Sequence, residues 1–392
     1  MKHKLFIKIV PLALSLTFAP FSAQRGIPPK EVTKITHATN YPEHLDFLPE
    51  MVNLLKPAEG WSVSIAASGL GKPRMLYLTP EGNIYITRRD AGDVLLLRDL
   101  NKDGKFEDLK TVVAEFKGVH GITMKDGWLY LCNNNELRRY RVDADGMLSG
   151  KEMLFNDMPS AGQHPNRTMD FGPDGKLYIS IGTLCNDCKE MDREAATMVQ
   201  VDPTTWKRTI FASGLRNTIG FDWHPQTQEL WGVDNGGDAK GDDWPPEELN
   251  KLMTGKNYGY PFAYGKREVD KSREDPAGNS KEKWVENTEP SSYEFQAHMA
   301  PIGFQFFPAG TPFSGDGIVA WHGSWNRSTP VGFKVQWVKF VNGNPTGAED
   351  FLTGFLKGKT RFGRPAGVAI APNGTVYISD DANGVLYRLT KN

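Results

Sequence analysis

A recurring strand-turn-strand unit limits what this chain can fold into more than any other feature. Each copy has a run of strand-forming residues, a turn built on Gly, Pro, Asn or Asp, and a second such run. Five copies read MLYLTPEGNIYITRRDAGDVLLLRD, ITMKDGWLYLCNNNELRRYRVD, MDFGPDGKLYISIG, GFDWHPQTQELWGVDNG and VAIAPNGTVYISDDANGVLYRLT, and a more diverged sixth is GFQFFPAGTPFSGDGIVAWHGSWNR, followed by GFKVQWVKF. The units extend from residue 76 to residue 389 and predict an all-β fold.

The number of units favours a closed ring of sheets. A unit of about 60 residues holds four strands with insertions. We therefore predict a single six-bladed β-propeller of four-stranded antiparallel blades over residues 61–392. Two β-sandwich domains are the alternative, but they do not require one unit to recur along the chain. The segment WSVSIAASGL, residues 61–70, is expected to form an outer strand that closes the ring against the last unit.

The remaining segments are interpreted as additions to this ring. Residues 24–60 are expected to form an N-terminal extension that packs on the propeller. Residues 262–297 are charged and poor in strand formers, which predicts an insertion that is either a solvated loop or a cap over the channel. Helical periodicity is nearly absent, and PPEELNKL is the best candidate for one or two helical turns.

The first 23 residues have the pattern of a secretory signal peptide. Early lysines precede an apolar run and then small residues. A membrane anchor is the alternative, but the run is short and is interrupted by Pro11 and Pro20. We therefore expect a periplasmic or secreted protein. No later segment is long and apolar enough to span a membrane.

The net charge argues against some classes of binding partner, and the cysteines argue against zinc and haem. A net charge of -1 and a pI of about 6.7 argue against nucleic acid or anionic membrane and favour small neutral molecules. Cys185 and Cys188 form a C-x-x-C, for which a small-loop disulfide is the first interpretation in an exported chain. A zinc site lacks its second half, and a haem site requires His where Lys189 stands. Cys132 is interpreted as a buried strand residue.

Two polar pairs occupy the same position relative to different hairpins. His164 and Arg167 come just before one hairpin, and Arg216 and Asn217 come just before the next. Loops at one end of a propeller converge on the mouth of its channel. The pattern therefore predicts one shared functional surface.

Two segments have the composition of calcium loops. In DNGGD, Gly236 and Gly237 are able to present backbone carbonyl oxygens to a hard cation, although a polar glycine turn is often only a turn. The segment DLNKDGKFED fits the opening of a calcium-binding loop, but Lys110 stands where the final glutamate is required. We consider a structural calcium site and a plain hairpin turn equally for this segment; its ligands would be Asp99, Asn101, Asp103 and the Lys105 carbonyl.

The segments GLRNTIGFDWHP, DNGGD, PPEELN and NYGYP, in this order, resemble the soluble pyrroloquinoline quinone (PQQ)-dependent sugar dehydrogenases, in particular the aldose or sorbosone dehydrogenase branch. The resemblance extends over HPNRT, FGPDGKLYISIG, HMAPIGFQFF, WHGSWNR and GRPAGVAIAPNGTVYISD, which are spread from residue 164 to residue 380. It implies a six-bladed propeller, in agreement with the number of units.

The resemblance also implies residue roles. His164 would be the general base that removes the sugar hydroxyl proton, Arg216 would lie against the PQQ carbonyl, and Asn217 would hold the cofactor. The carbonyls of Gly236 and Gly237 would bind calcium. Gly237 stands where the better-known glucose enzymes have proline, which is harmless if only the carbonyl is used.

Further contacts follow from the same resemblance. Arg327 and Arg364 are matched to the PQQ carboxylates, and His120 falls where the family places a polar residue against the cofactor. Three residues are substrate candidates: Arg167, His298 and Trp325. For Arg167 the alternative is a brace for its own loop, and for His298 it is a packed histidine. His322 receives no role.

We therefore expect an exported PQQ- and calcium-dependent dehydrogenase that oxidises an aldose at its anomeric carbon to a lactone. The electrons would pass to an external acceptor such as a quinone, a cytochrome or a dye, because no fused cytochrome is visible. One alternative is an inactive propeller that binds carbohydrate or protein. Another is a calcium-dependent lactonase, which requires carboxylate ligands that converge on the channel.

Overall fold

The computed structural model describes residues 35–160 and 162–392, and these are almost entirely β-structure. The predicted signal peptide lies outside them. The described part contains eight sheets, of which six have four or five strands and two are smaller. All strand pairs in the six large sheets are antiparallel. The predicted all-β class is confirmed.

We number the large sheets I to VI along the chain and give their strands in order across each sheet. Sheet I contains Leu76–Leu78, Ile84–Arg88, Asp93–Arg98 and Asp108–Val113. Sheet II contains Gly121–Lys125, Trp128–Cys132, Leu137–Val142 and Leu148–Phe155. Sheet III contains Met169–Phe171, Leu177–Ile181, Thr197–Val201 and Arg208–Ser213. Sheet IV contains Thr218–Trp223, Leu230–Asp234, Glu247–Leu252 and Tyr293–Phe295. Sheet V contains Pro301–Phe306, Gly317–Trp321, Lys334–Val341, Asn344–Thr353 and Lys56–Pro57. Sheet VI contains Pro365–Ile370, Val376–Asp380, Val385–Lys391 and Trp61–Ala67.

The smaller elements lie between these sheets. One small sheet contains Glu43–His44, Thr360–Arg361 and Leu356–Lys357, and the other is the hairpin Ala263–Tyr264 and Glu268–Val269. Within residues 35–160 and 162–392 the helices are a 3₁₀ helix, Pro49–Leu54, and an α-helix, Lys281–Val285. No helix of the described residues has the length and apolar character needed to cross a membrane.

Two strands come from distant parts of the chain. Trp61–Ala67 pairs with Val385–Lys391, so the segment expected to provide an outer strand beside the last unit does so. Lys56–Pro57 pairs with the outer strand of sheet V, and the residues just before the first unit are therefore part of a sheet.

The predicted helix in PPEELNKL is wrong, because Glu247–Leu252 is the third strand of sheet IV. Its residues are buried on both faces, so the alternation that identifies a half-exposed strand is absent. Within residues 262–297, Tyr293–Phe295 is the outer strand of sheet IV.

The sheets contact one another in a closed series. The first strands of neighbouring sheets are in contact, and the first strand of sheet VI contacts that of sheet I, which closes the series. Sheet III is the exception, because its second strand contacts the first strand of sheet IV. Apolar side chains fill the spaces between neighbouring sheets, as Phe307 and Phe351 of the sheet V region do with Ile378 and Tyr387 of sheet VI. In an antiparallel pair the start of the first strand lies beside the end of the second, so these positions share one edge of every sheet.

Candidate active site at the shared edge of the sheets

Each large sheet brings a polar side chain to this edge, just before its first strand begins. In sheet order these residues are Arg74, His120, His164, Arg216, His298 and Arg364. The ends of the second strands add a second set at the same edge: Arg89, Asn133, Thr183, Asp234, His322 and Asp381. Because the first strands line the inside of the series of sheets, the two sets converge.

The contacts of His164 define its tautomer. Its Nδ1 lies 3.0 Å from the carbonyl oxygen of Thr183 and 2.7 Å from the hydroxyl of the same residue. A carbonyl only accepts, so Nδ1 carries the proton and donates it. The Thr183 hydroxyl in turn donates to the carbonyl of Cys185 at 2.5 Å. The lone pair of His164 is therefore on Nε2, which has no hydrogen-bond partner among the described residues.

The electrostatic surroundings keep His164 neutral. Burial, together with the positive charge of Arg216, lowers the pKa of His164 to about 4. The side chains of His164 and Asn217 pack on Gly182, where an added Cβ would lie 2.8 Å from Cβ of His164 and 2.6 Å from Oδ1 of Asn217. His164 and Asn217 thus flank the same glycine, as the shared-surface prediction requires.

Arg216 is held by a buried network. It is 2% exposed, and its Nη2 donates to Oδ2 of Asp238 at 2.9 Å and to Oδ1 of Asn186 at 2.7 Å. Its Nε donates to the carbonyl of Asn186 at 3.0 Å. Although burial opposes the charged form, the Asp238 carboxylate raises the pKa of Arg216. The guanidinium is a fixed cation.

Asp234 aligns the backbone in front of sheet IV. Its carboxylate accepts from the backbone N–H groups of Arg216 and Asn217, at 2.9 and 2.8 Å, and from the Thr218 hydroxyl at 2.8 Å. Thr218 and Asp234 are paired in the sheet. The carboxylate therefore orients the Arg-Asn pair, a role that sequence reasoning missed.

The Gly236–Gly237 turn is tightly packed from behind. A Cβ on Gly236 would lie 2.8 Å from the carbonyl oxygen of Pro246, and a Cβ on Gly237 would lie 2.7 Å from the hydroxyl of Tyr264. The N–H of Gly236 donates to the buried Glu247 at 2.8 Å. Among the described residues neither glycine carbonyl accepts a hydrogen bond. The conformation of the turn is fixed, and its two carbonyl oxygens are available to bind a cation.

A basic pocket of about 380 Å³ lies where sheets I and VI meet. Five cations line it against two carboxylates: Lys72, Arg74, Arg89, Arg361 and Arg364, with Asp90 and Asp381. Of these, only Arg364 was identified from the sequence. Arg89 also donates to the side chain of Asn166 at 3.2 Å, which links the pocket to the His164 loop.

His322 organises one wall of this pocket. Its Nδ1 accepts from Nη2 of Arg364 at 2.7 Å, so Nε2 carries the proton and donates to Asp381 at 2.8 Å. Burial lowers the pKa of His322 to about 3, although Asp381 opposes the shift. Asp381 also pairs with Arg74. His322 is thus a neutral bridge between a cation and a carboxylate.

His120 and Arg167 are both fully buried. Nδ1 of His120 lies 3.2 Å from the Arg167 carbonyl, and its Nε2 has no partner among the described residues. The Arg167 guanidinium donates to the carbonyls of His164 at 2.8 Å and of Asn166 at 3.0 Å. This position favours the loop-bracing alternative for Arg167 over a contact with substrate.

His298 and Arg327 have internal partners. Nε2 of His298 donates to the Gly241 carbonyl at 2.8 Å, and its Nδ1 accepts from the Asn326 side chain at 3.2 Å. Asn326 also donates to Asp238 at 2.9 Å, so His298 supports the Arg216 network as a packed histidine. Arg327 pairs with Asp243 at 3.2 Å and does not line the basic pocket.

Trp325 is half-buried and stacks on Tyr41, with ring centroids 6.0 Å apart and an interplanar angle of 11°. Tyr41 itself is 72% exposed. The pair presents a flat aromatic surface that neighbours Asn326.

The side chains of the second calcium candidate are used within their own turn. Asp99 accepts from the N–H of Gly104 at 2.8 Å, Asn101 from that of Asp103 at 2.9 Å, and Asp103 from that of Lys105 at 2.8 Å. The Arg388 guanidinium packs against Gly104. Within the part of the chain that the structure describes, three His, Cys, Asp or Glu ligand atoms converge only at Cys185, Cys188 and Glu190. These contacts favour the plain turn.

Cys185 and Cys188 form the expected disulfide. Their sulfurs are bonded to each other and are not free thiolate ligands, so the cluster with Glu190 does not fit a metal. Cys132 is a buried, free strand cysteine, as predicted.

The large antiparallel sheets and this polar edge define a protein of the propeller architecture found in soluble PQQ-dependent dehydrogenases. A structure of the Trichoderma reesei member of carbohydrate-active enzyme family AA12, described as a calcium structure, matches with a TM-score of 0.76 at 22% identity, over 91% of this chain and 98% of that chain. At this identity the match shows the fold.

The family model for TrAA12-like proteins matches residues 55–392, and the chain belongs to this family. An uncharacterised protein of Borreliella burgdorferi is 29% identical over 87% of this chain and 92% of its own length. A PQQ-dependent sugar dehydrogenase of Hypocrea jecorina is 23% identical over 85% of this chain and 88% of its own. The resemblance predicted from the sequence is confirmed at the level of the family.

Proposed function

We propose that the chain is an exported PQQ- and calcium-dependent dehydrogenase that oxidises an aldose at its anomeric carbon to a lactone and passes the electrons to a separate acceptor. The observation that carries the proposal is the state of His164. Its Nδ1–H is fixed by Thr183 and its Nε2 lone pair is unpartnered, which is the arrangement of a general base that is neutral at physiological pH.

The proposal includes a six-bladed propeller over residues 61–392, with residues 24–60 as an extension that packs on it. The closed series of contacts between the six large sheets supports six blades. The two smaller sheets are then additions to the ring and not further blades, because each has only two-residue strands.

The residues at the edge fit PQQ. The cofactor has three carboxylates, and the basic pocket has an excess of cations over carboxylates. Nε of Arg74 and Nη1 of Arg361, two cations that line the pocket, are buried donors without a described partner. An orphaned buried donor is costly, so these atoms are suited to an anionic ligand.

Bound PQQ would supply the hydride-accepting quinone. In our proposal Arg364 and its neighbours in the basic pocket bind the carboxylates, and Asn217 holds the ring system. Arg216 places a fixed positive charge where negative charge develops. His164 removes the hydroxyl proton of the sugar at Nε2, while its Nδ1–H stays with Thr183.

The calcium part of the proposal rests on the Gly236–Gly237 turn. Both glycines are buried and closely packed, and their carbonyl oxygens have no described hydrogen-bond donor. Calcium prefers oxygen ligands of this kind. The buried carboxyl groups of Asp234 and Glu247 bind the backbone beside and within the turn, but burial raises the pKa of both, that of Glu247 to about 8, so the calcium part rests on the glycine carbonyls.

Dye reduction tests the proposal. Purified protein is supplied with PQQ and calcium and assayed with a panel of aldoses and an electron-accepting dye. We expect turnover that requires both additions. His164→Ala should lower kcat by about 10²- to 10⁴-fold and leave PQQ affinity within about threefold. The matched control is His224→Ala, since His224 caps a turn at the opposite ends of the sheet IV strands.

Failure to bind PQQ at micromolar concentration would overturn the proposal and favour a binding module. The lactonase alternative is less well supported, because the carboxylates at this edge are occupied by Arg216, His322 and backbone N–H groups. Export is supported by the disulfide, which is typical of oxidising compartments.

A further inference from the structure

A four-residue loop closed by the Cys185–Cys188 disulfide lies beside the proposed active site. We call residues 185–188 the disulfide loop. It is part of the connection between the second and third strands of sheet III. The resemblance that suggested roles for His164 and Arg216 assigns none to this loop.

One side of the disulfide loop is connected to His164. The Thr183 hydroxyl donates to the carbonyl of Cys185 at 2.5 Å and accepts from Nδ1 of His164 at 2.7 Å. Because the hydroxyl has a single hydrogen, the bond to the loop fixes its direction. Because its hydrogen is directed to the Cys185 carbonyl, the Thr183 hydroxyl oxygen accepts the hydrogen bond from Nδ1 of His164.

The same loop is connected to Arg216. Asn186 accepts from Nη2 through its side chain and from Nε through its carbonyl, at 2.7 and 3.0 Å. Asn186 also makes a reciprocal pair with Asp238, with one bond of 2.9 Å and one of 3.0 Å. The backbone N–H of Thr183 donates to the Arg216 carbonyl at 2.9 Å. Five hydrogen bonds thus tie this region to Arg216 and its counter-ion.

The opposite side of the disulfide loop is anchored and accessible. Asp187 pairs with Lys240 at 2.6 Å and with Arg273. Lys240 also pairs with the buried Asp270 at 2.7 Å. This side borders a cavity of about 880 Å³. Asp187 lines this cavity, and both cysteines are half-buried.

We propose that the disulfide loop is a positioning element that sets His164 and Arg216 relative to each other, with Thr183 and Asn186 as the positioning residues. Opening the disulfide lowers turnover without unfolding the sheets. An added dithiol gives two electrons and two protons, the S–S bond breaks to two thiols, and the dithiol becomes a cyclic disulfide. The inference rests on the proposed function for the roles of His164 and Arg216.

The first test needs no PQQ. The His164 ring of the full chain is titrated by NMR before and after treatment with dithiothreitol. Arg216, Arg167 and Asp238 are the charged groups that act on it. If the loop holds Arg216 near His164, reduction moves the midpoint of this titration upward, towards 6.5. An unchanged titration of the reduced protein overturns the proposal, whatever its enzymatic activity.

Two variants of Thr183 test the role of its hydroxyl, because one removes the hydroxyl and the other keeps it. Thr183→Val removes the hydroxyl, and we expect faster exchange of the Nδ1 proton signal of His164, because only the backbone carbonyl of residue 183 still accepts this proton. Thr183→Ser keeps the hydroxyl and should restore the slower exchange. Equal spectra for the Val and Ser variants would show that the hydroxyl does not orient the ring.

The second test uses the enzyme loaded with PQQ and calcium, and no thiol is added because thiols react with quinones. Cys185→Ser with Cys188→Ser, and separately Asn186→Ala, should lower kcat about tenfold to a hundredfold with KM changed less than about threefold. Met191→Ala, at a side chain that is 96% exposed, is the control and should match the parent.

Circular dichroism shows whether the double cysteine variant folds. If it does not, Asn186→Ala is used alone, because this variant keeps the disulfide. Parent-like kcat in Asn186→Ala overturns the proposal. If even the parent protein does not reduce the dye, the proposed function fails, and the titration without PQQ still decides whether the loop positions the two residues.

Discussion

Arg216 and Asp238 form an ion pair in which Nη2 lies 2.9 Å from Oδ2, and the Arg216 side chain is almost completely excluded from solvent. Asp238→Asn removes the counter-ion but keeps a side chain of the same shape. Because a buried cation without its partner is costly, we expect the free energy of unfolding to fall by about 3 kcal/mol. Urea denaturation measures it.

The control for this prediction is a second Arg–Asp pair. Arg327 and Asp243 are 3.2 Å apart, but the Asp243 side chain is 89% exposed. Asp243→Asn should leave the unfolding free energy unchanged, since solvent already screens the pair. Equal losses in the two variants would show that burial of Arg216 is not the cause.

The pH dependence of turnover should reflect the lowered pKa of His164. Burial and Arg216 favour the neutral imidazole, so the base stays active well below its ordinary value of 6.5. We expect kcat/KM to be nearly constant from pH 7 to about 5 and to fall as the pH approaches about 4. A profile of kcat/KM against pH, measured with a stable dye, tests this. A midpoint at 6.5 would contradict the site geometry.

The basic pocket should determine PQQ affinity. Arg364→Gln removes a cation from the pocket, and we expect PQQ to bind at least about tenfold more weakly. The loss should shrink as salt is added, because part of it is electrostatic. Arg139→Gln, at a surface ion pair with Glu152, is the control. Equal PQQ affinities of the two variants in calorimetry would exclude the pocket as the carboxylate site.

The close packing behind the calcium turn predicts a specific rescue. Gly237→Ala places a Cβ 2.7 Å from the Tyr264 hydroxyl, and overpacking of this kind costs about 1–3 kcal/mol. Tyr264→Phe removes that oxygen, which has no described hydrogen-bond partner, and should recover part of the loss in the double variant. Unfolding is measured without calcium. Gly347→Ala, with open space around it, is the control.

The sequence was informative wherever the signal was local. The strand-turn-strand units and the relation of His164 and Arg216 to their hairpins were readable, because each depends on residues close together in the chain. The outer strand Trp61–Ala67 pairs with the distant Val385–Lys391, and it was predicted because a ring of sheets has to close. The strand Glu247–Leu252 was misread as a helix because two of its glutamates are buried. Their carboxylates accept from the N–H groups of Gly236 and Gly265, contacts that no periodicity reveals.

The basic pocket could not be predicted from the sequence, for a different reason. Arg74 and Asp381 meet because sheet VI contacts sheet I, although 307 positions separate them in the chain. His322, which joins Asp381 to Arg364, comes from sheet V. Such a cluster has no spacing of its own in the sequence, and only the assembled sheets define it.

The pairing of Trp61–Ala67 with Val385–Lys391 has a consequence for biogenesis. A ribosome makes the first of these strands long before the second, and an unpaired strand edge is prone to associate with other chains. Final closure therefore waits until Val385–Lys391 has been synthesised, and the edge of the first strand lacks this partner in the interval. A chaperone that covers this edge until Val385–Lys391 is available would prevent such association.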